Sequence, residues 1–331
     1  MKEINLLADK IRNGDRAALS RGITLCESDL ALHKSQALFL LDQLYPFTGN
    51  SIRIGVSGIP GAGKSTLIEA LGTYSIDRHQ KRVAVLAIDP SSEQSSGSIL
   101  GDKTRMEALS TRQDAFIRPS PTKTQLGGVA QQTQTAILLC EAAAYDVIIV
   151  ETVGVGQSEI AINHMVDVFL LLQIVGAGDD IQAMKRGVLE WVDMVVFNKA
   201  DQGKETQARV EAANMSKALG LFPSKYAGWS IPVLSCSALE KTGIEAIWET
   251  IISHQLHLNQ KEIFKKQRED QLNNLLCSLE AQVLRVFLAQ HKKINVLRKE
   301  NQLNWQAKEV PPFGVLEAFK KQLTKIFLEE E

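Results

Sequence analysis

The sequence predicts an α/β fold: a doubly wound, mostly parallel sheet of the P-loop class, extended by helices at both ends. Three observations carry this. Between Ile52 and about His254, short apolar, β-branched runs alternate with longer mixed segments. Several runs are apolar at consecutive positions, as in strands covered on both faces. The first run leads into "GIPGAGKS", Gly58 to Ser65, a glycine-rich loop followed at once by a helical pattern.

In chain order, residues 1–50 form a helical region. "LLADKIRNGDRAALSRGITLCES" spaces apolar residues three and four apart, with Gly14-Asp15 as a break, and Pro46 and Gly49 end the region. Residues 51–254 hold the runs "IRIGV", "VAVLAI", "DVIIV", "VDVFLLLQIV", "VDMVVF" and "IPVLSC", each predicting a strand. Beyond Gln255, in residues 255–331, the strand pattern stops. "EIFKKQREDQLNNLLCSLEAQVLRVFLAQ" predicts one long helix with an apolar stripe through Leu272, Leu276, Leu279, Val283 and Phe287. Such a stripe has to lie on something. The central domain is one candidate surface; a second copy of the chain, giving a homodimer through the C-terminal helices, is preferred.

Composition bounds the function. The chain has 331 residues, 44% hydrophobic and 23% charged, with a formal net charge of -1. That balance argues against nonspecific binding of nucleic acid or membrane surfaces. No apolar run approaches the roughly 18 residues that span a bilayer. The charged, amphipathic start "MKEINLLADKIRNGDRAAL" lacks the apolar core of a secretory signal. Cys26, Cys140, Cys236 and Cys277 are scattered, without CxxC spacing, and fit single thiols in a reducing cytoplasm. His254 and His257 could share a helix face, and a solvated pair is the expectation over a metal site.

"GIPGAGKS" satisfies G-x-x-x-x-G-K-[ST] with a strand before and a helix after. Its small residues, Gly58, Pro60, Gly61, Ala62 and Gly63, let successive backbone N–H groups converge on an anion. The helix N-terminus adds a favourable dipole. Lys64 can reach terminal phosphates, the Ser65 hydroxyl can ligate Mg²⁺, and Thr66 opens the helix beside them. The bland alternative, a glycine-rich turn, does not account for the flanking strand and helix.

The base is read further on. "NKAD", Asn198 to Asp201, follows the strand "VDMVVF" at the end where open α/β sheets bind ligands. A carboxylate at Asp201 can accept hydrogen bonds from guanine N1–H and its 2-amino group, donors that adenine lacks there. Asn198 can tie strands together and meet the base. The stem of Lys199 can lie over the purine. "SCSAL", Ser235 to Leu239, ends another strand and would place the N–H groups of Ser237 and Ala238 near guanine O6, with Leu239 next to them. Alone, N-K-x-D is often a loop with a capping Asp; behind a phosphate loop it selects GTP over ATP.

Hydrolysis needs Mg²⁺, charge neutralisation and a positioned water. Asp89 closes "VAVLAID", Asp102 lies in "GSILGDKTRM", and Glu151 closes "DVIIVE", each a candidate metal or hydrolysis residue, with a mere helix cap as the lesser alternative. Small GTPases usually carry Asp-x-x-Gly where this chain has Glu151-Thr-Val-Gly154. Gly154 offers an N–H to the γ-phosphate. The position two beyond it is Gly156, with Gln157 next, so slow intrinsic turnover, raised by a partner, is expected. "GAGDDIQAMKRG" offers Asp179, Asp180 and Lys185 as switch partners or as a solvated loop.

The motifs "GIPGAGKST", "IDPSS", "GSILGDKTRM", "FIRP", "QLGG", "YDVIIVETVGVGQSE", "GAGDDIQAMKRG", "NKAD" and "CSALEKTGI" together resemble the MeaB/ArgK family over nearly the whole chain. These are G-protein chaperones of adenosylcobalamin-dependent methylmalonyl-CoA mutase, some of which carry the label of transport-system ATPases or kinases. The resemblance implies a homodimeric, cytoplasmic GTPase that gates cofactor loading and protects or reactivates the mutase. It implies phosphate and Mg²⁺ binding by Lys64 and Ser65. It assigns metal and hydrolysis roles to Asp89, Asp102 and Glu151, and a partner-sensing switch around Asp179 to Lys185. Ser96 and Thr124 depart from the family's usual glycines. The alternatives are a kinase or ATPase of a lysine/arginine/ornithine transport system, a nickel-delivering metallochaperone GTPase, and a nucleotide-gated adaptor.

Overall fold

The computed structural model describes residues 2–28, 30–89, 106–121, 126–152, 162–176, 186–306 and 312–328. The chain divides into two compact units, residues 1–273 and 274–331.

The first unit is built on seven strands, β1 (Ile52–Gly58), β2 (Val83–Asp89), β3 (Ala115–Pro121), β4 (Val147–Glu151), β5 (Val168–Ile174), β6 (Met194–Asn198) and β7 (Val233–Ser235). They form one sheet in the order β3-β2-β4-β1-β5-β6-β7, and every pairing is parallel. The consecutive apolar positions are explained by burial on two sides. Ile54, Val56, Ile149, Leu170 and Val196 enter one core, and Ile148, Val150, Phe169, Leu171 and Phe197 enter the other. The expected doubly wound sheet is therefore present, and among the described strands it is wholly parallel.

Helices α1 (Lys2–Arg12), α2 (Arg16–Cys26) and α3 (Ala31–Leu44) cover one face together with α6 (Leu126–Ala142). The predicted break between the first two is real. Gly14 takes a φ of 77°, and the Asp15 carboxylate caps α2 by accepting the N–H groups of Ala17 and Ala18. The other face carries α4 (Lys64–His79), α5 (Glu107–Ser110) and α9 (Ile244–Gln260). Helices α7 (Arg186–Leu189) and α8 (Glu205–Leu219) complete the alternation with strands. The long helix α10 (Ile263–Gln290) runs where it was expected and is followed by α11 (Lys292–Gln306) and α12 (Pro312–Leu328).

One strand was not expected. β3 holds Pro119, Pro121 and Arg118, which interrupt the apolar run by which a strand is recognised. It is one of the two edge strands of this sheet, where a missing N–H can face away from the ladder.

The N-terminal ends of the strands are held by carboxylates. Asp146, Asp167 and Asp193 each stand just before a strand, and each accepts a backbone N–H within one residue of the start of the neighbouring strand. The donors are Arg82, Arg53 and Phe169, each at 2.8 Å.

A buried ionic network surrounds two of these ends. Glu141 of α6 accepts from Nε and Nη2 of Arg53, at 2.9 and 2.8 Å, together with Arg268 at 2.9 Å and the Ser51 hydroxyl at 2.6 Å. Arg268 in turn grips both oxygens of Asp167 at 2.7 Å. Two guanidinium and two carboxylate groups thus balance. Burial alone would raise the Glu141 pKa, but the charge and hydrogen bonds of Arg53, then of Arg268, overcome it and hold it at about 2.

This sets a pH dependence. A carboxyl depressed in the folded state contributes stability above its unfolded pKa, and that contribution is lost as pH falls through about 4.5 toward 2. Glu141→Gln is expected to remove that slope in urea melts. At neutral pH it should lower stability by about 3 kcal/mol or more, since two arginines lose a buried partner. An unchanged neutral-pH midpoint would show that the network contributes nothing.

Candidate functional site

The C-terminal ends of β1, β4 and β6 meet at one place because these strands lie close together in the sheet. At the end of β1 the chain must turn sharply past β5. A Cβ on Gly58 would lie 2.4 Å from the Leu172 carbonyl oxygen, so no side chain fits. Gly61 and Gly63 follow in left-handed conformations, with φ of 80° and 87°, and α4 begins directly after. The first amides of a helix lack intrahelical acceptors, so this turn presents donors to an anion.

Lys64 is the first residue of α4 and is buried. Its ammonium spans the loop, donating to the Gly58 carbonyl at 2.9 Å and the Ile59 carbonyl at 3.2 Å. Beside it the Ser65 hydroxyl donates to Glu151 Oε1 at 3.0 Å. Glu151 ends β4 in register with Val56 of β1. One residue on, the Thr152 N–H donates to the Val56 carbonyl and its hydroxyl to Ser57 Oγ, both at 3.1 Å. The side chains thus add a rung where the strands begin to part. Asp89 ends β2, two residues past Ala87, the register partner of Glu151.

The base end is organised by Asn198, the last residue of β6. Its Nδ2 donates to the Ala62 carbonyl in the phosphate loop at 2.8 Å. Its Oδ1 accepts the Ala238 N–H at 3.0 Å. One buried amide therefore joins the two loops. Asp201 accepts a short hydrogen bond from the Ser237 hydroxyl, which itself accepts the Glu240 N–H at 3.1 Å. The Ser237 N–H donates to the Thr242 carbonyl, so both amides expected at guanine O6 are engaged within the protein. Lys199, with a φ of 64°, is exposed, as is Leu239. Burial, and then the Asp201 charge, push the Cys236 thiol up to about 12.

Of the expected site residues, the structure brings together Lys64, Ser65 and Glu151 at one end and Asn198, Asp201, Ser237 and Ala238 at the other, joined by the loop from Gly58 through Thr66. Asp102, Gly154, Gly156, Gln157, Asp179, Asp180, Lys185, Ser96 and Thr124 lie outside the described residues. The Thr152–Ser57 pair was not expected, although a hydroxyl residue directly after Glu151 was visible in the sequence.

The histidine expectation is corrected. His254 is not solvated: it is 1% exposed, packed edge-on against Trp229 with ring centroids 4.7 Å apart, and its Nε2 lies 3.7 Å from Asp193. Burial pushes its pKa down, with Asp193 opposing. His257 is half-buried and contacts the Ala227 carbonyl. Among the described residues, no three His, Cys, Asp or Glu side chains gather as a metal cluster. Ser65 and Glu151 fit Mg²⁺ in another way, as hard oxygen donors converging beside a phosphate loop. Among the described residues, no helix is long and apolar enough to cross a membrane.

Comparison with known proteins shows what the chain is similar to. The sequence model of the family described as "Methylmalonyl Co-A mutase-associated GTPase MeaB" matches residues 19–292. GTPase ArgK of Escherichia coli is 47% identical over 262 residues, covering 79% of each chain. A mitochondrial methylmalonic aciduria type A homolog of Mus musculus is 42% identical over 268 residues, 77% of this chain and 64% of that one. A crystal structure described as a LAO/AO transport system kinase superposes with a TM-score of 0.73 at 34% identity, covering 97% of both chains.

The Asn198 bridge leaves no room beside the loop, since a Cβ on Gly63 would lie 2.5 Å from Asn198 Nδ2. Gly63→Ala adds that clash to the strain of a positive φ, itself about 1–2 kcal/mol. GTP affinity is expected to fall about tenfold or more, in line with 1.4 kcal/mol per factor of ten. A fluorescent-nucleotide titration checks this, and an unchanged Kd would show that the bridge does not shape the loop.

Proposed function

The chain belongs to the MeaB family of methylmalonyl-CoA mutase-associated GTPases, and we propose that it is a GTP-driven chaperone of an adenosylcobalamin-dependent methylmalonyl-CoA mutase. Its cycle gates cofactor loading and protects or reactivates the mutase. The observation carrying the GTP reading is the Asn198 bridge with Asp201 beside it, because it fixes a carboxylate relative to a phosphate loop. The family's description supports the client.

In this reading Lys64 exchanges the Gly58 and Ile59 carbonyls for the β- and γ-phosphates. The exchange replaces two neutral acceptors by anionic ones. Asp201 pairs with guanine N1–H and the 2-amino group, while the Lys199 stem lies over the purine. Ser65 and Glu151, with Asp89 and Asp102, would hold Mg²⁺, which supplies charge neutralisation at the phosphates when bound. Glu151 already meets Ser65 Oγ from the last residue of β4, so the two oxygen donors stand together beside the loop.

A second copy of the chain completes the assembly. Leu276, Val283 and Phe287 of the long helix are 46, 54 and 50% exposed, too much apolar surface for a helix with no covering partner. The transport-system kinase described for the solved relative is the rival reading. It requires transfer of the γ-phosphate to an acceptor hydroxyl rather than to water.

GTP turnover measured with and without the mutase tests the proposal. Stimulation by the mutase, with phosphate released to solution, is expected; identical rates would remove the mutase as client. Within the same assay, Lys64→Ala should abolish turnover with the fold intact. Asp201→Asn should shift preference toward xanthosine triphosphate, and unchanged GTP affinity in that variant would remove the base assignment.

A further inference from the structure

Helix α10 is joined to the sheet by three residues near its start, Gln267, Arg268 and Gln271. Gln267 and Gln271 stand one turn apart and donate to the same acceptor, the Val166 carbonyl, at 3.0 and 2.8 Å. A carbonyl oxygen has two lone pairs, so it can hold both amides or favour either. Between them Arg268 grips Asp167, Glu141 and the Ser51 carbonyl.

Gln271 is 4% exposed and fully engaged. Its Oε1 accepts from Arg53 Nη1 at 2.8 Å, and its backbone carbonyl accepts from Gln134 of α6 at 3.2 Å. Arg53 lies on β1, the strand that ends in the phosphate loop. Val166 directly precedes Asp167 and β5. The β1–β5 pairing then runs from Ile54 opposite Val168 to Gly58 opposite Leu172. The same helix turn therefore touches the start of both strands whose far ends meet at the phosphate loop. Ile162, Val166 and Phe169 pack within 3.1 Å of the position a Cβ on Gly55 would take, so β1 lies directly against β5 and the chain before it there.

We propose that this clamp relays nucleotide state into helix α10. When GTP replaces GDP in the phosphate loop, the β1–β5 pair shifts and Val166 redistributes between the Gln267 and Gln271 amides. The helix re-seats about Arg268, whose two carboxylate partners act as the pivot. Small displacements can be amplified in this way because packed contacts switch between discrete arrangements. The inference rests on the reading of this chain as a GTP-driven switch.

Cys277 provides the reporter. It is exposed on the same helix, whereas Cys140 and Cys236 are buried and burial pushes the Cys26 thiol up to about 12. A thiol-reactive, environment-sensitive fluorophore on Cys277 of the full-length chain is compared with GDP and with a non-hydrolysable GTP analogue. An emission difference between the two nucleotides is expected, reduced in Gln267→Met and in Gln271→Met and lost in the double variant, with nucleotide affinity unchanged. If the double variant does not fold, the half-exposed Gln267→Met carries the test. Failure to bind either nucleotide would overturn the GTP-switch reading itself. Normal binding without an emission difference, or a difference undiminished by the glutamine variants, would overturn the relay.

Discussion

A parallel sheet covered on both faces leaves its polar business to the ends of the strands. Among the described residues, the polar arrangements at both ends of the sheet follow from that constraint. At the C-terminal ends, β1 releases the phosphate loop, β4 presents Glu151 and β6 presents Asn198. At the N-terminal ends, Asp146, Asp167 and Asp193 accept the amides that begin neighbouring strands. One end is shaped to receive a ligand, and the other is closed by the protein's own charges.

The two ends use different chemistry. The nucleotide end is joined by an amide, because Asn198 must donate to Ala62 and accept from Ala238 at once. A carboxylate there could not donate. The opposite end is joined by ions, with Arg53 and Arg268 between Glu141 and Asp167. Removing one member leaves an uncompensated buried charge, so the network resists piecemeal change. Arg53 belongs to both worlds, since the strand that carries it ends at Gly58.

Much of the fold was legible because it is written in local periodicity. The two-sided strands appear as unbroken apolar runs, and the phosphate loop appears as a short pattern whose glycines answer backbone demands at Gly58, Gly61 and Gly63. β3 was not legible, since an edge strand tolerates Pro119 and Pro121 and so loses the signature of a strand. The aspartates before β4, β5 and β6 were visible as letters within the quoted runs. Their role depends on which strand lies alongside, and that order is not local. His254 failed for the same reason: its spacing from His257 described a helix face but not that Trp229 and Asp193 would bury one of the pair.

At the candidate site the same division holds. Lys64 and Ser65 are adjacent in sequence and could be assigned together, whereas the partnership of Ser65 with Glu151 required two strands to be neighbours. Glu151 reaches α4 from the end of β4, where its Oε1 accepts the Ser65 hydroxyl. Gln271 gave no signal at all, for a glutamine on a mixed helix looks like a solvated residue. Its burial follows from three polar groups, on Arg53 of β1, Gln134 of α6 and Val166 in the chain before β5, converging on one side chain and its backbone. Side chains that join distant elements are where a single sequence says least, and here they connect the start of β1 and the chain before β5, at the end of the sheet opposite the phosphate loop, to the long helix.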